Sequence, residues 1–403
     1  MAGHSTIYHK KYLKVTISLI IIIALCAGFS GSFLAGGLSG KTPAANAARG
    51  SSSIVMEATS LRVFAGENIH ARLPMASTTK AMTALVIIEK CNLSSVVTIP
   101  KAAVGIEGSS IYLRQGEKLT VKELLYGLML RSGNDAAVAL AIHAGGSVEG
   151  FVKMMNDKAR QLGLKNTNFT NPHGLHDPNH YTSAYDLAVI SSVAIRNPVF
   201  KEICSTKRVR ISGDSEESIR DLYNKNKILS MYSGGNGIKT GFTKDAGRCL
   251  IASSLRENMQ VVAVVLNRGD MWEECMRLMD YAHANYCMQK VADSTSPVGE
   301  VKVNNGKLNG KYIYSAPVYV ERDMYYPLKK DGSEKVSISV SIPRSIDAPH
   351  DKSVSLGKME VTFDNRLIFC EKVYTMVNIE KKNLRDKLRD FFGIKHRISY
   401  RAA

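Results

Sequence analysis

The sequence predicts an α/β (α+β) catalytic domain, in which a helical cluster packs on an antiparallel sheet, followed by a small all-β domain. Helical and strand patterns mix over residues 48–292, whereas residues 293–378 show strand patterns separated by glycine, asparagine and proline turns. A length of 403 residues suits two such domains. Every candidate catalytic residue lies in the first of them.

The helices of the first domain present polar residues at their ends. Apolar residues recur at helical spacing over residues 80–89, which places Ser77 near a helix N-terminus. Residues 120–123 form a capping box that opens a helix running to about residue 130. A turn follows, and Asn134 with Asp135 is predicted to cap the next helix.

Three strands are predicted near the end of the first domain. Residues 238–240 read as a short strand after the glycine-rich turn at 234–237, and as an edge strand they would expose backbone groups to an extended peptide. Two further β-rich runs, 248–253 and 261–267, are predicted to pair around residues 257–258.

The second domain and the tail carry simpler patterns. Apolar residues and serines alternate over residues 336–342, which predicts a half-buried strand. Residues 379–403 form a basic segment with one apolar helical stripe, and such a helix suits an anionic membrane surface. The alternatives are packing on the β-domain and a frayed tail. The stripe consists of Leu384, Leu388, Phe391 and Phe392.

The N-terminus predicts export. Lysines precede an apolar run over residues 15–27, and a small-residue stretch then leads to an Ala-Asn-Ala cleavage pattern, so residues 1–47 read as a signal peptide. An uncleaved membrane anchor is the alternative. We therefore expect the protein at the outer face of the cytoplasmic membrane or in the cell wall. There, a net charge of +17 favours anionic lipids and acidic wall polymers as binding partners, and not nucleic acid. The cysteines show no C-x-x-C spacing.

Three short motifs occur in order in the first domain, and together they supply a nucleophile, a base, a proton relay and a cationic edge. They read S-x-x-K, S-x-N and K-T-G, and consist of Ser77-Thr78-Thr79-Lys80, Ser132-Gly133-Asn134 and Lys239-Thr240-Gly241.

The chemistry of these side chains predicts an acyl-enzyme. Lys80 can take the Ser77 proton if burial and the charge of Lys239 destabilise its ammonium. Ser132 can relay a proton to the leaving amine, and Asn134 can accept from Lys80 and donate to a substrate carbonyl.

The K-T-G segment is predicted to bind the carboxylate and the backbone of a substrate. Lys239 and the Thr240 hydroxyl are suited to binding a substrate carboxylate. Gly241 has no side chain, which leaves room where the substrate backbone must approach. The backbone N–H groups of Ser77 and Phe242 are predicted to form an oxyanion hole.

Four segments resemble the serine D-alanyl-D-alanine carboxypeptidases, which are low-molecular-mass penicillin-binding proteins. They are residues 75–83, 169–175, 181–188 and 239–247, and the likeness covers about 50–290. The resemblance implies a catalytic domain of the penicillin-binding-protein/β-lactamase type, removal of the terminal D-alanine from peptidoglycan pentapeptide stems, acylation by β-lactam antibiotics, and no metal or cofactor.

Two other functions share these motifs. A class A β-lactamase requires a glutamate that activates the deacylating water, and the corresponding stretch, residues 166–175, contains no acid. A non-catalytic wall-binding protein with a vestigial site is the other alternative, and the intact motifs argue against it. Zinc binding is disfavoured because no H-E-x-x-H helix exists, although one loop holds His173, His176, Asp177 and His180.

Overall fold

The computed structural model describes residues 50–392. The predicted signal peptide lies outside the described residues, as does the tail from residue 393 onward. Within residues 50–392, none of the helices combines the length and the apolar character that crossing a bilayer requires. The six cysteines of the described chain are free thiols: Cys91, Cys204, Cys249, Cys275, Cys287 and Cys370.

The α-helices alternate with shorter 3₁₀ and π turns, of which Ala76–Thr79 and Gly127–Arg131 matter for the site. The α-helices are α1 (Lys80–Lys90), α2 (Val121–Tyr126), α3 (Asn134–Gly145), α4 (Val148–Gln161), α5 (Ala184–Ile195), α6 (Pro198–Ser205), α7 (Ile228–Met231), α8 (Met271–Asn285) and α9 (Leu384–Phe391).

The strands of the catalytic domain are β1 (Ser52–Glu57), β2 (Val63–Glu67), β3 (Val96–Thr98), β4 (Lys118–Thr120), β5 (Arg208–Ile211), β6 (Arg220–Tyr223), β7 (Gly235–Thr243), β8 (Gly247–Arg256) and β9 (Met259–Leu266). The strands that follow are β10 (Tyr286–Ala292), β11 (Gly299–Leu308), β12 (Lys311–Val320), β13 (Met324–Lys329), β14 (Ser337–Ser341), β15 (Ser345–Asp347), β16 (Gly357–Phe363), β17 (Arg366–Tyr374) and β18 (Glu380–Lys381).

A five-stranded antiparallel sheet, in the order β2-β1-β9-β8-β7, lies between two helical layers. Alternate side chains of β9 explain this arrangement, since successive residues of a strand point to opposite faces. Val262, Val264 and Leu266 pack with the main helical cluster, whereas Val261, Ala263 and Val265 pack against α8. The sheet is therefore buried on both faces, and β7 forms one of its edges, as predicted.

The helix predictions are confirmed in outline and corrected in one detail. The capping box on α2 is present, with the Thr120 hydroxyl accepting from the Glu123 amide. The helix ends at Tyr126 and continues as the π turn to Arg131. The predicted cap of α3 is wrong, because Gly133 is the N-cap residue and no side chain caps the helix.

The strand predictions hold, with two differences. Strand β7 begins at Gly235, inside the stretch predicted as a turn, because a bulge lets the glycines join the ladder. Strands β8 and β9 pair around Glu257 and Asn258, which both have positive φ, as a two-residue hairpin requires. The prediction of a half-buried β14 is wrong at Ile338, which is 50% exposed because β14 is an edge strand.

One arginine joins the catalytic domain to the all-β domain. The guanidinium of Arg62, in the β1–β2 connection, donates to the Pro327 carbonyl over 2.5 Å and pairs with Glu334 at 2.6 Å. Both charged side chains are largely buried, at 12% and 17% exposure. The guanidinium also lies 4.4–5.9 Å from the centres of four aromatic rings: Phe64, Tyr286, Tyr326 and Phe363.

The basic C-terminal helix α9 is attached to the all-β domain by its polar face. The Asp386 carboxylate, 5% exposed, accepts from Lys307 of β11 at 2.8 Å and from the Tyr312 hydroxyl of β12 at 2.9 Å. Asn383 and Asp386 also cap the helix N-terminus reciprocally. The apolar stripe points away from this attachment and is 51–84% exposed over Leu384, Leu388, Phe391 and Phe392.

Candidate active site

Ser77 lies in the 3₁₀ turn that leads directly into α1, and Lys80 is the first residue of that helix. Three residues of helical backbone place two side chains on one face, so the spacing brings the hydroxyl and the amine together. Lys80 Nζ lies 2.9 Å from Ser77 Oγ. The Lys80 side chain is fully buried at the base of the site.

The surroundings of Lys80 suit a neutral amine. Its Nζ atom lies 2.7 Å from Asn134 Oδ1 and 2.7 Å from the carbonyl oxygen of His173. Both of these oxygens can only accept. A neutral amine has two N–H groups and one lone pair, so these acceptors use both N–H groups and leave the lone pair for the Ser77 hydroxyl proton.

The pKa of Lys80 is lowered well below its usual value. Burial is the main cause, and the positive charge of Lys239 adds to it, whereas the Asp135 carboxylate acts in the opposite direction. The carboxylate itself accepts hydrogen bonds from the Ile111 and Leu113 amides. The environment therefore favours the amine that can accept a proton from Ser77.

The 107–113 loop, formed by those residues, holds Asn134, the first residue of α3. The side-chain Nδ2 of Asn134 donates to the Glu107 carbonyl over 2.5 Å, and its backbone amide donates to the Ser109 carbonyl over 2.7 Å. Gly108 is required here, because a Cβ atom at that position would lie 2.9 Å from Asn134 Nδ2. These contacts orient the Asn134 carbonyl oxygen towards Lys80.

Ser132 lies between the π turn and α3 in the left-handed conformation, with φ 65° and ψ 34°. Its backbone amide donates to the Gly127 carbonyl, and the residue is 5% exposed. Among the described residues, its hydroxyl makes no hydrogen bond to Lys80. The role of Ser132 as a proton relay therefore stays a prediction.

Lys239 lies on β7 and is 2% exposed. Burial, together with the positive charge of Lys225, lowers the pKa of Lys239 to about 7. Its Nζ atom donates to the Thr240 carbonyl over 2.8 Å. Lys225, whose Nζ donates to Ser109 Oγ over 3.3 Å, is a third lysine at this site that sequence reasoning missed. No short motif marks it.

The K-T-G segment packs directly on the serine turn. A Cβ atom at Gly241 would lie 3.0 Å from the backbone nitrogens of Ser77 and Thr78. Close approach of the strand to the turn is therefore a second reason for glycine, besides the substrate approach that the sequence suggested. Phe242, the next residue, is 65% exposed at the open side.

The histidine-containing loop supports the site through hydrogen bonds. His180 Nδ1 accepts from the Thr170 amide, so Nε2 carries the proton and donates to the Thr79 hydroxyl over 2.8 Å. Burial lowers the pKa of both His173 and His180 to about 3, so both rings are neutral. The described residues contain no group of side chains arranged to hold a metal ion.

The fold and the arrangement of Ser77 and Lys80 are those expected of enzymes in which a lysine activates a serine nucleophile. A family model described as D-alanyl-D-alanine carboxypeptidase matches residues 39–269, and one described as penicillin-binding protein 5, C-terminal domain, matches residues 286–381. The chain therefore belongs to the D-alanyl-D-alanine carboxypeptidase family and is a low-molecular-mass penicillin-binding protein.

Several relatives match along nearly the whole chain. D-alanyl-D-alanine carboxypeptidase DacF of Bacillus subtilis is 33% identical over 92% of this chain and 95% of its own length. DacA of Escherichia coli K12 is 30% identical over 97% of this chain and 98% of its own length. The structure of penicillin-binding protein 5 from Haemophilus influenzae, 30% identical, covers 82% of this chain and 97% of its own with a TM-score of 0.65.

These matches confirm the predicted fold class and activity. The chain has the catalytic domain and the C-terminal all-β domain of penicillin-binding protein 5. It is a serine-type hydrolase with D-alanyl-D-alanine carboxypeptidase activity in cell-wall metabolism, and β-lactam binding fits the family. Membership of this family also fits export.

Proposed function

We propose that Ser77 attacks the carbonyl of the penultimate D-alanine of a peptidoglycan pentapeptide stem, with Lys80 as the base. The Ser77 proton passes to Lys80, and Ser132 relays a proton from Lys80 to the leaving D-alanine as the C–N bond breaks, so that Lys80 is neutral again. Water then hydrolyses the acyl-enzyme and restores the serine. Asn134 orients the acyl amide, while the backbone N–H groups of Ser77 and Phe242 stabilise the oxyanion.

The hydrogen bonding of Lys80 is the observation that carries this proposal. In the neutral form that its lowered pKa favours, two acceptor oxygens use both N–H groups, and the lone pair remains for the Ser77 hydroxyl. Lys239 and the Thr240 hydroxyl bind the substrate carboxylate beside Gly241. Lys80 contacts the His173 carbonyl, within residues 166–175, where a class A β-lactamase would supply a glutamate, and this favours the carboxypeptidase over the β-lactamase.

The direct test measures D-alanine release from diacetyl-Lys-D-Ala-D-Ala with and without penicillin. We expect release that penicillin abolishes, together with slow hydrolysis of a chromogenic cephalosporin. A purified, folded protein that releases no D-alanine would exclude the proposed function. Rapid cephalosporin turnover would instead indicate a β-lactamase.

The pH dependence of kcat/KM is expected to be bell-shaped. The acid limb reports Lys80, which must lose its proton before it can act as the base, and its lowered pKa moves that limb well below the usual range of lysine. The alkaline limb reports Lys239, whose charge binds the substrate carboxylate and is lost above a pKa of about 7. Initial rates from pH 5 to 10 measure both limbs.

A substrate with a C-terminal carboxamide provides the control for this pH profile. It has no carboxylate for Lys239 to bind, so the alkaline limb should disappear while the acid limb remains. An alkaline limb of equal size with both substrates would contradict the role of Lys239.

The protein is also proposed to act at the outer face of the cytoplasmic membrane, held there by α9. Asp386 attaches the polar side of the helix to β11 and β12, so the exposed stripe is free to enter a lipid surface. Residues 381–403 carry eight Lys/Arg and two Asp, a net charge of +6, which favours anionic head groups. Packing on the β-domain, the alternative, does not bury this stripe.

Vesicle sedimentation tests the membrane proposal. The full chain should bind vesicles of phosphatidylglycerol more strongly than vesicles of phosphatidylcholine, and a double variant, Leu388→Asp with Phe391→Asp, should lose that difference. An apolar segment near the N-terminus would bind both vesicle types, so the difference between them isolates the basic helix. If the wild type and the variant prefer phosphatidylglycerol vesicles to the same extent, this role for α9 is excluded.

A further inference from the structure

Tyr112 belongs to the 107–113 loop that holds Asn134, and it exposes its aromatic ring to solvent. The residue is 82% exposed, although tyrosine is a residue that folding normally buries at least in part. Its backbone φ is +60°, a conformation that is uncommon for a bulky side chain. Residues in sparsely populated backbone conformations cluster at active sites and ligand-binding segments, and Tyr112, unlike Glu257 and Asn258, is not part of a hairpin turn.

The backbone on both sides of Tyr112 is fixed by buried charges. The Asp135 carboxylate, 1% exposed, accepts from the Ser110 hydroxyl at 2.5 Å and from the Ile111 and Leu113 amides. From the other side, the Arg220 guanidinium donates to the carbonyls of Ile111 at 2.6 Å and Tyr112 at 3.0 Å. The ring is therefore presented by a rigid loop.

Arg220 is itself held by a buried partner. Its guanidinium forms two hydrogen bonds with the Glu117 carboxylate, at 2.5 and 2.9 Å, and the two side chains are only 12% and 4% exposed. Buried ion pairs of this type contribute little net stability, because desolvation offsets their attraction. Their value here is geometric, since they define the conformation of one exposed loop.

The same loop also positions a catalytic group. Glu107 and Ser109 bind Asn134, and Asn134 contacts the Lys80 amine. Tyr112 follows Ser109 by three residues, and a chain of that length spans at most about 11 Å, so its backbone lies near the Asn134 contact. A substrate whose acyl amide meets Asn134 extends past the Asn134 side of the cleft.

We infer that the Tyr112 ring binds the stem peptide just upstream of the scissile D-Ala-D-Ala bond, and so sets the preference for long peptides over short ones. The ring offers apolar faces to the aliphatic part of the upstream side chain, and a tyrosine held in place loses little entropy on binding. This inference rests on the proposed function and adds a substrate-binding residue to it.

The test compares two substrates and three variants of the full chain. Tyr112→Asn removes the ring but keeps a residue that tolerates positive φ, Tyr112→Phe keeps the ring, and Tyr314→Ala removes an exposed tyrosine of the all-β domain as a control. We expect Tyr112→Asn to lower kcat/KM about three- to tenfold for diacetyl-Lys-D-Ala-D-Ala and to leave N-acetyl-D-Ala-D-Ala unchanged. Tyr112→Phe and Tyr314→Ala should have the kcat/KM of the wild type for both substrates.

Three results would overturn the inference. Equal loss on both substrates would mean that Tyr112 acts on the catalytic groups, and no loss on either would mean that the ring binds nothing. Loss seen only with a disaccharide-linked pentapeptide would assign the ring to the sugar. Absence of D-alanine release by the wild type from every substrate would instead contradict the proposed function. A thermal melt of each variant separates a folding defect from lost binding.

Discussion

Replacement of Ser77 by alanine is expected to abolish covalent labelling by penicillin and to lower kcat for D-alanine release by about 10⁴-fold or more. Within residues 50–392, the Ser77 hydroxyl is the nucleophile that lies within hydrogen-bond distance of Lys80 Nζ. Its removal deletes one hydrogen bond at the cleft and no core packing, so the variant should fold. Mass spectrometry of the penicillin-treated protein and a D-alanine assay measure the two effects.

Two further variants define the cause of that loss. Ser230→Ala, an exposed serine on α7, should leave labelling unchanged and serves as the control. Lys80→Met keeps the nucleophile but removes the base, and should slow acylation by about 10²- to 10⁴-fold. A Ser77→Ala protein that still gained the mass of penicillin would mean that another residue is the nucleophile.

Replacement of Arg62 by alanine is expected to lower the free energy of unfolding by about 3–5 kcal/mol, because it leaves a buried carboxylate without its partner. Glu334 and the Pro327 carbonyl lose their donor, and four aromatic rings lose the cation between them. The effect should appear in urea unfolding of the full chain. The rate of D-alanine release from a short peptide at 25 °C should stay close to that of the wild type.

Arg322 provides a matched control, because it also pairs with a glutamate, Glu371, but its side chain is 71% exposed. Exposed pairs contribute about 0–1 kcal/mol, so Arg322→Ala should have a small effect. Equal losses for the two variants would show that burial of the Arg62 pair does not determine its contribution.

The features predicted well from the sequence depend on residues close together in the chain. The spacing of Ser77 and Lys80, the capping box at Thr120 and the turn at residues 257–258 are local patterns, and the structure has them where they were expected. The order of the three motifs also identified the chemistry, because each motif carries one part of it.

The features that escaped prediction depend on contacts between distant segments. Lys225 approaches Ser109 across 116 positions of sequence, and Arg62 meets Glu334 across 272, so no local pattern marks either. The N-terminus of α3 was misjudged for the same reason: Asp135 was expected to cap its own helix, but its carboxylate serves the 107–113 loop. Ile338 alternates like a buried residue, yet its strand lies at an edge.

The free thiols have a consequence for how this chain can be stored. Three of the six, Cys204, Cys249 and Cys275, are fully buried, and burial raises the pKa of each above its usual value. Thiolate is the form that reacts with oxidants, so these groups are inert at neutral pH. Oxidation during storage should therefore begin at the other three thiols, of which Cys91 and Cys287 are half-buried and Cys370 is exposed.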